Sequence, residues 1–163
     1  EVKLTSAKIS EKVSSTILLA EAATQHAELL AKHSDQYGTN VINRFKAGQE
    51  IQTDTYIQAL RNRETITREF ELLFQNVDFY LTPTVQILPP KIGQEIVSVD
   101  SLDVNVVSGC TQFTRLGNLT GMPVIALPSG LSTNSLPLST QFMAPKWGEP
   151  ELLKLAFTLE QAS

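Results

Sequence analysis

Side chains able to do chemistry are sparse in this sequence, and each can be judged by its neighbours. Cys110 is the single cysteine, and a thiol becomes an acyl-transfer nucleophile only beside a base that takes its proton. His26 and His33 are the two histidines, seven positions apart on one helical stretch and so on nearly the same face. No third orienting group or local catalytic signature accompanies them, and Cys110, next to Gly109, reads more readily as a small buried hydrophobe. Two histidines are too few for a metal site, which needs three or four ligands. Neither common spacing of a phosphate-cradling glycine loop occurs. Asn118-Leu119-Thr120 matches a glycosylation acceptor formally, but with no secretory signal it reads as a turn. Arg44 stands four residues before Gly48, in a short segment between two long helices. Two readings of it stay open: a clamp on a carboxylate or amide oxygen, or a solvated or helix-capping guanidinium.

The elements that must position these groups follow from the spacing of apolar residues. Glu1–Leu4 reads as the tail of a strand. From about Ala7 to Ser34, Ile9, Val13, Ile17, Ala20, Ala27 and Leu30 recur at helical intervals with one turn missed at Thr24. That predicts one long amphipathic helix, capped by Ser6 and followed by a left-handed Gly38. Val41–Gly48 gives one or two turns. A further helix starts at Thr53 or Asp54 and buries Ile57, Leu60, Ile66 or Thr67, Phe70, Leu73 and Phe74. Val77–Leu81 and Val124–Leu127 read as buried strands, each stopped by a proline that cannot donate a ladder hydrogen bond. Between them lie a long loop, Gln86–Ser108, with at most one short extended piece, then a short helix within Cys110–Leu119 and a tight turn at Asn118–Pro123. Leu138–Met143 is a third strand. Glu149-Pro150-Glu151 opens a last helix whose buried face is Leu152, Leu155 or Ala156, and Leu159.

The sequence has 163 residues and a formal net charge of −4, which fits one α/β domain and makes neither nucleic acid nor an anionic membrane an obvious partner. The longest apolar run, Thr16–Ala23, is far short of the ~20 residues a membrane-spanning helix needs, so a soluble protein is expected. One cysteine excludes an internal disulfide and fits a reducing, cytoplasmic setting. The chain starts at Glu1 without an initiator methionine or a signal peptide, which suggests that something upstream is missing.

The order of the pieces carries more than any one of them. Tyr56–Arg63, then Asp78-Phe79-Tyr80-Leu81-Thr82-Pro83-Thr84, then Phe113-Thr114 with Asn118-Leu119-Thr120-Gly121-Met122-Pro123, then Leu136-Pro137 with Gln141-Phe142, then Glu149 and Glu151-Leu152-Leu153 together resemble the C-terminal part of the amidase signature family. The resemblance covers nearly the whole chain from the first helix onward. It implies a fold in which a mixed sheet is covered by helices, incomplete here, with residues 1–163 forming a single C-terminal fragment of an amidase domain.

Members of that family hydrolyse carboxylic amides with a Ser, cis-Ser, Lys triad held in a Gly/Ser-rich run, without a cofactor. No such run exists in this chain, and Ser14-Ser15 lies within a helical stretch. The resemblance therefore implies that the catalytic residues stand upstream and that the fragment itself is inactive. By position, Arg44 looks like the arginine that contacts glutamine in the family's amidotransferase A-subunits. Thr111 falls where those proteins look to carry an aspartate that reads the substrate's amino group, and a threonine cannot supply that charge. Thr111 and Phe113 would face the substrate. Ser139 stands where glycine is usual before the glutamine. The expected partners are a small-molecule amide, the missing N-terminal part of the polypeptide, and other copies of the fragment. Two rivals remain: the glutamine-hydrolysing A-subunit of a tRNA-dependent amidotransferase, which Thr111 disfavours, and a non-catalytic interaction module that keeps the half-fold.

Overall fold

The structure is a computed structural model describing residues 4–162; the strand expected at Glu1–Leu4 lies outside these residues but for Leu4, which is in neither helix nor strand. Backbone packing divides the chain into two units, Glu1–Ile66 and Thr67–Ser163.

The first unit is helical. A 3-10 turn, Ser6–Ile9, leads into α1 (Ser10–Gln25) and α2 (Ala27–His33), followed by a 3-10 turn at Ser34–Gln36, α3 (Thr39–Gln49) and the start of α4 (Thr53–Leu73). The single helix expected over 7–34 is thus interrupted at His26, and Ser6 opens the 3-10 turn instead of capping α1. The backbone is still tied across the interruption, since His26 donates to the Ala22 carbonyl at 3.0 Å and its own carbonyl accepts from Leu30 at 2.8 Å. One local contact and one from another helix meet there. Thr24 returns its hydroxyl to the Ala20 carbonyl at 2.9 Å, a bond that bends helices. The His26 ring stacks on Phe45 of α3 at 4.9 Å, with Tyr37 edge-on to both rings.

Gly38 is extended, at φ −64° and ψ 144°, and precedes the first residue of α3, so the left-handed role expected of it is not needed. Gly48 does not break a helix but sits inside α3, where a Cβ would lie 2.1 Å from the Leu19 carbonyl oxygen and 2.8 Å from Ala23 Cβ. Its missing side chain lets α1 and α3 touch backbone to backbone. Val13, Ile17 and Ala23 are buried with Phe45, whereas Ile9 and Ala27, expected on the same face, are exposed. On α4, Ile66 and Phe70 are fully buried, and Ile57 is exposed.

In the second unit the strands β1 (Tyr80–Pro83), β4 (Val124–Leu131) and β5 (Pro137–Met143) form an antiparallel sheet in the order β1-β5-β4. The two strands expected to be buried are therefore its edges in the described residues, with β5 between them. Pro83 ends β1 as expected. Pro128 does not end β4: it pairs with Ser139, and the strand runs on to Leu131 through an irregularity where Gly130 takes φ +104°. An edge strand tolerates the proline because its amide can face away from the ladder.

The stretch expected to be loop contains a hairpin, β2 (Ile96–Val99) and β3 (Leu102–Asn105), turned by Asp100 and Ser101 at φ 49° and 67°. Two positive φ angles in succession suit a two-residue hairpin turn; without glycine at either position the signal was hidden. Two short helices follow, α5 (Val106–Thr111) and α6 (Thr114–Thr120), and α7 (Glu149–Ala162) closes the chain with Pro150 in its first turn. Leu152 is its one buried residue, and Leu159 is exposed.

Candidate functional site

Of the expected substrate-facing residues, Thr111 and Phe113 stand together at the α5–α6 junction of the second unit. Arg44 is exposed on α3 of the first. The junction is built locally. The Asn105 side chain caps α5, accepting from the amides of Val107 and Ser108 at 3.0 and 3.4 Å. Gly109 faces Ile87 so closely that a Cβ would lie 2.7 Å from Ile87 Cγ2, and its carbonyl accepts from the Gln86 amide at 2.9 Å. The segment after β1 is thereby fixed against α5.

Thr111, half-buried, donates its hydroxyl to the Val107 carbonyl at 2.6 Å, and its own carbonyl accepts from the Thr114 hydroxyl at 3.2 Å. Its hydroxyl proton is committed within its own helix. Phe113, also half-buried, precedes α6. The turn expected at Asn118–Pro123 begins later, because α6 continues through Asn118 to Thr120 and ends on left-handed Gly121 at φ 68°. The Thr120 hydroxyl donates to the Leu116 carbonyl at 2.7 Å and accepts from the Met122 amide at 3.4 Å. Gly117 lies against Val124, and the Pro123 carbonyl accepts from Ala144, so α6 is stapled to the start of β4.

Sequence reasoning gave no role to a buried polar pair in the sheet. Gln141 on β5 donates from Nε2 to Oγ1 of Thr82 on β1, directly opposite, at 3.0 Å; Gln141 is 3% exposed. Next along, Thr84 bonds through its amide to the Ser139 carbonyl, while its Oγ1 is buried with no hydrogen-bond partner among the described residues. Polar residues at alternate positions of two short strands are the signal that pointed there. Tyr80 is held edge-on to Phe70 at 5.4 Å, and burial pushes its phenol pKa up from 10.0.

Cys110 is half-buried in α5. Both histidines belong to the first unit, so the second holds no imidazole to activate the thiol. His26 faces Tyr37 and Phe45 instead, with Tyr37 Oη 3.5 Å from its Nδ1. Among the described residues no three His, Cys, Asp or Glu side chains gather as metal ligands, and no helix is long and apolar enough to cross a membrane. Among its described residues, the second unit thus holds Cys110 without a histidine.

The profile of the family described as Amidase matches residues 1–153. The chain belongs to the amidase signature family. It is 31% identical over 134 residues to the A-subunit of the glutamyl-tRNA(Gln) amidotransferase of Halothermothrix orenii, covering 79% of this chain and 27% of that protein. It is 29% identical over 148 residues to an amidase of Pseudomonas putida, covering 90% of this chain and 32% of the relative. A crystal structure of an amidase superposes with a TM-score of 0.90 at 24% identity, over 96% of this chain and 36% of that one. The fold is thus an α/β part of the amidase signature fold, and the chain spans about a third of the length of the relatives it matches.

Proposed function

We propose that this chain is the C-terminal part of an amidase that hydrolyses non-peptide carboxylic amides to an acid plus ammonia or an amine. In this reading a serine upstream of Glu1 attacks the amide carbonyl. A cis-serine and a lysine move its proton to the leaving nitrogen, and water then frees the acid from the acyl-serine. The observation that carries the reading is the mismatch between family membership across 153 positions and the lack of any Gly/Ser-rich run in the sequence. Both units then belong to one amidase domain; Thr111 and Phe113 of the second unit are its proposed acyl-pocket residues, and Arg44 of the first is a separate proposed substrate contact. A single cysteine suits the cytoplasm.

Exposed apolar side chains support the idea of a missing complement. Trp147, Leu153 and Phe157 are 88%, 64% and 64% exposed, and Leu81 on edge strand β1 is more than half exposed. Surfaces of this kind, beside open sheet edges, promote association. The isolated chain is expected to release no ammonia from simple amides and to form oligomers in light scattering; a clean monomer at high concentration would count against the missing complement. Extending the reading frame upstream of Glu1 should give a polypeptide with amidase activity. A start codon at this boundary, or ammonia release from the isolated chain that Cys110→Ala abolishes, overturns the proposal; the former leaves a free-standing interaction module as the better reading.

The second reading, the A-subunit of a tRNA-dependent amidotransferase, is favoured by the similarity to such a protein. It predicts that the full-length protein hydrolyses glutamine, against which Thr111 stands.

A further inference from the structure

The first unit holds a groove between α1 and α4. Ile9, Lys12, Val13 and Thr16 line one side of it, and Asp54, Ile57, Gln58 and Arg61 line the other. Each set recurs at steps of three and four residues, so each is one stripe of its helical stretch. The groove measures about 720 Å³, the size of a small-molecule site. Its floor is apolar, with Val13 and Ala59 buried. Ile9 and Ile57, which periodicity expects in the core, each stay 41% exposed on its two sides. An alkyl chain laid between them removes that apolar surface from water.

Charge is spread unevenly along the groove. Tyr56 Oη donates to Glu21 at 2.8 Å, while residues 54–62 of α4 line the groove with residues 9–16, so the two helices run in opposite directions. The Lys12 end of α1 therefore stands by the Arg61 end of α4. Asp54 is the one carboxylate among the described lining residues. It lies roughly 10 Å from Arg61 along the helix, and its Oδ1 accepts from the Thr55 amide at 2.6 Å. Lys12 and Arg61 have no side-chain hydrogen bond or ion pair among the described residues. One end of an apolar trough thus carries two cations without counterions, and a guanidinium can hold a carboxylate through two parallel hydrogen bonds. A single chain fits a concave floor better than a flat bilayer does.

We propose that the first unit binds an aliphatic monocarboxylate, its alkyl chain between α1 and α4 and its carboxylate on Lys12 and Arg61. The proposal goes beyond the amidase reading: Arg44, Thr111 and Phe113 do not line the groove, and either can fail without the other.

Isothermal titration of the purified chain with dodecanoate at pH 7 should show saturable binding at one site per chain. Dodecylammonium, with the same tail and the opposite charge, should bind at least about tenfold more weakly, a comparison that needs no variant. Lys12→Gln combined with Arg61→Gln should weaken dodecanoate binding about tenfold and leave the far-UV circular dichroism unchanged. Phe157→Ser, which removes exposed apolar surface on α7, should leave the affinity as it was. Absence of saturable binding overturns the proposal. So does equal affinity for the two amphiphiles, an affinity that loss of both cations does not move, or one that Phe157→Ser abolishes. Binding to anionic phospholipid vesicles with none to free dodecanoate also overturns it, and assigns the groove to a membrane surface.

Discussion

Replacing Gly48 with alanine tests the packing of the first unit. The new Cβ would stand 2.1 Å from the Leu19 carbonyl oxygen and 2.8 Å from both the Leu19 carbonyl carbon and Ala23 Cβ. A carbon approaches a carbonyl oxygen to about 3.3 Å, so α1 and α3 must part by roughly 1 Å at this crossing. Overpacking costs about 1–3 kcal/mol. Two of the three nearest atoms are backbone and cannot rotate away, which places this case near 3 kcal/mol. Alanine returns about 1 kcal/mol through its better helix propensity. The net loss is about 2 kcal/mol, or a fall in Tm of roughly 4–8 °C for a chain of this length, read by far-UV circular dichroism. Gly38→Ala is the control: its site is open, with nothing within 4 Å and an ordinary φ of −64°. Its small loss of capping is balanced by a stiffer unfolded chain, so little change is expected. A Gly48→Ala protein at least as stable as the parent would show that the close crossing of α1 and α3 does not exist.

Three further substitutions probe other joints. Gln141→Leu strands the buried Thr82 hydroxyl and should cost about 1–3 kcal/mol. Adding Thr82→Val removes both polar partners and should recover part of that loss in urea unfolding; strictly additive losses would refute the pairing. Asn105→Ala removes the cap of α5 and should cost about 1 kcal/mol, while Asn105→Asp, which also caps, should change stability little. A neutral alanine variant would show that α5 stands without its cap. Tyr56 donates to Glu21 at 2.8 Å, and this hydrogen bond, more than burial, raises its pKa above 10.0. A folded-state pKa above the unfolded value gives stability that is present below pH 10 and lost as the pH rises through the folded value. Glu21→Gln should bring Tyr56 ionisation in an absorbance titration back toward 10; an unmoved curve would rule Glu21 out as the cause.

How far the fold could be read from the sequence depended on whether a feature was set by near neighbours. Pro150 opening α7, Pro83 ending β1 and the buried Ile66 and Phe70 of α4 all follow from periodicity and proline chemistry. His26 is different. Its interruption of the first helix involves Phe45, nineteen residues on and carried by another helix, and only Thr24 gave a local hint. Gly48 misled for the same reason. A glycine in sequence suggests a helix end, but here a neighbouring helix needs the space. Pro128 and the hairpin at Asp100-Ser101 show the limit of punctuation: the proline ends no strand because its strand is an edge, and the turn uses two non-glycine residues at positive φ.

The candidate site residues come from resemblance and not from periodicity. Thr111 and Phe113 were singled out by a resemblance in order and spacing, and the structure puts them at one helix junction. Periodicity alone gives them no role, because neither belongs to a repeating apolar face. Arg44 illustrates this most plainly. It is exposed on α3 of the first unit, the setting of a solvated guanidinium. Thr82 and Gln141 belong to the family-like runs of the sequence, yet their bond emerges only once β1 and β5 are set in register. The buried Thr84 hydroxyl next to them lacks a partner among the described residues. A polar atom taken out of water without a partner costs about 1–3 kcal/mol. If the proposed upstream complement supplies that partner, Thr84→Val should stabilise the isolated chain and destabilise the proposed full-length protein. The same sign of change in both would place the partner of Thr84 within this chain.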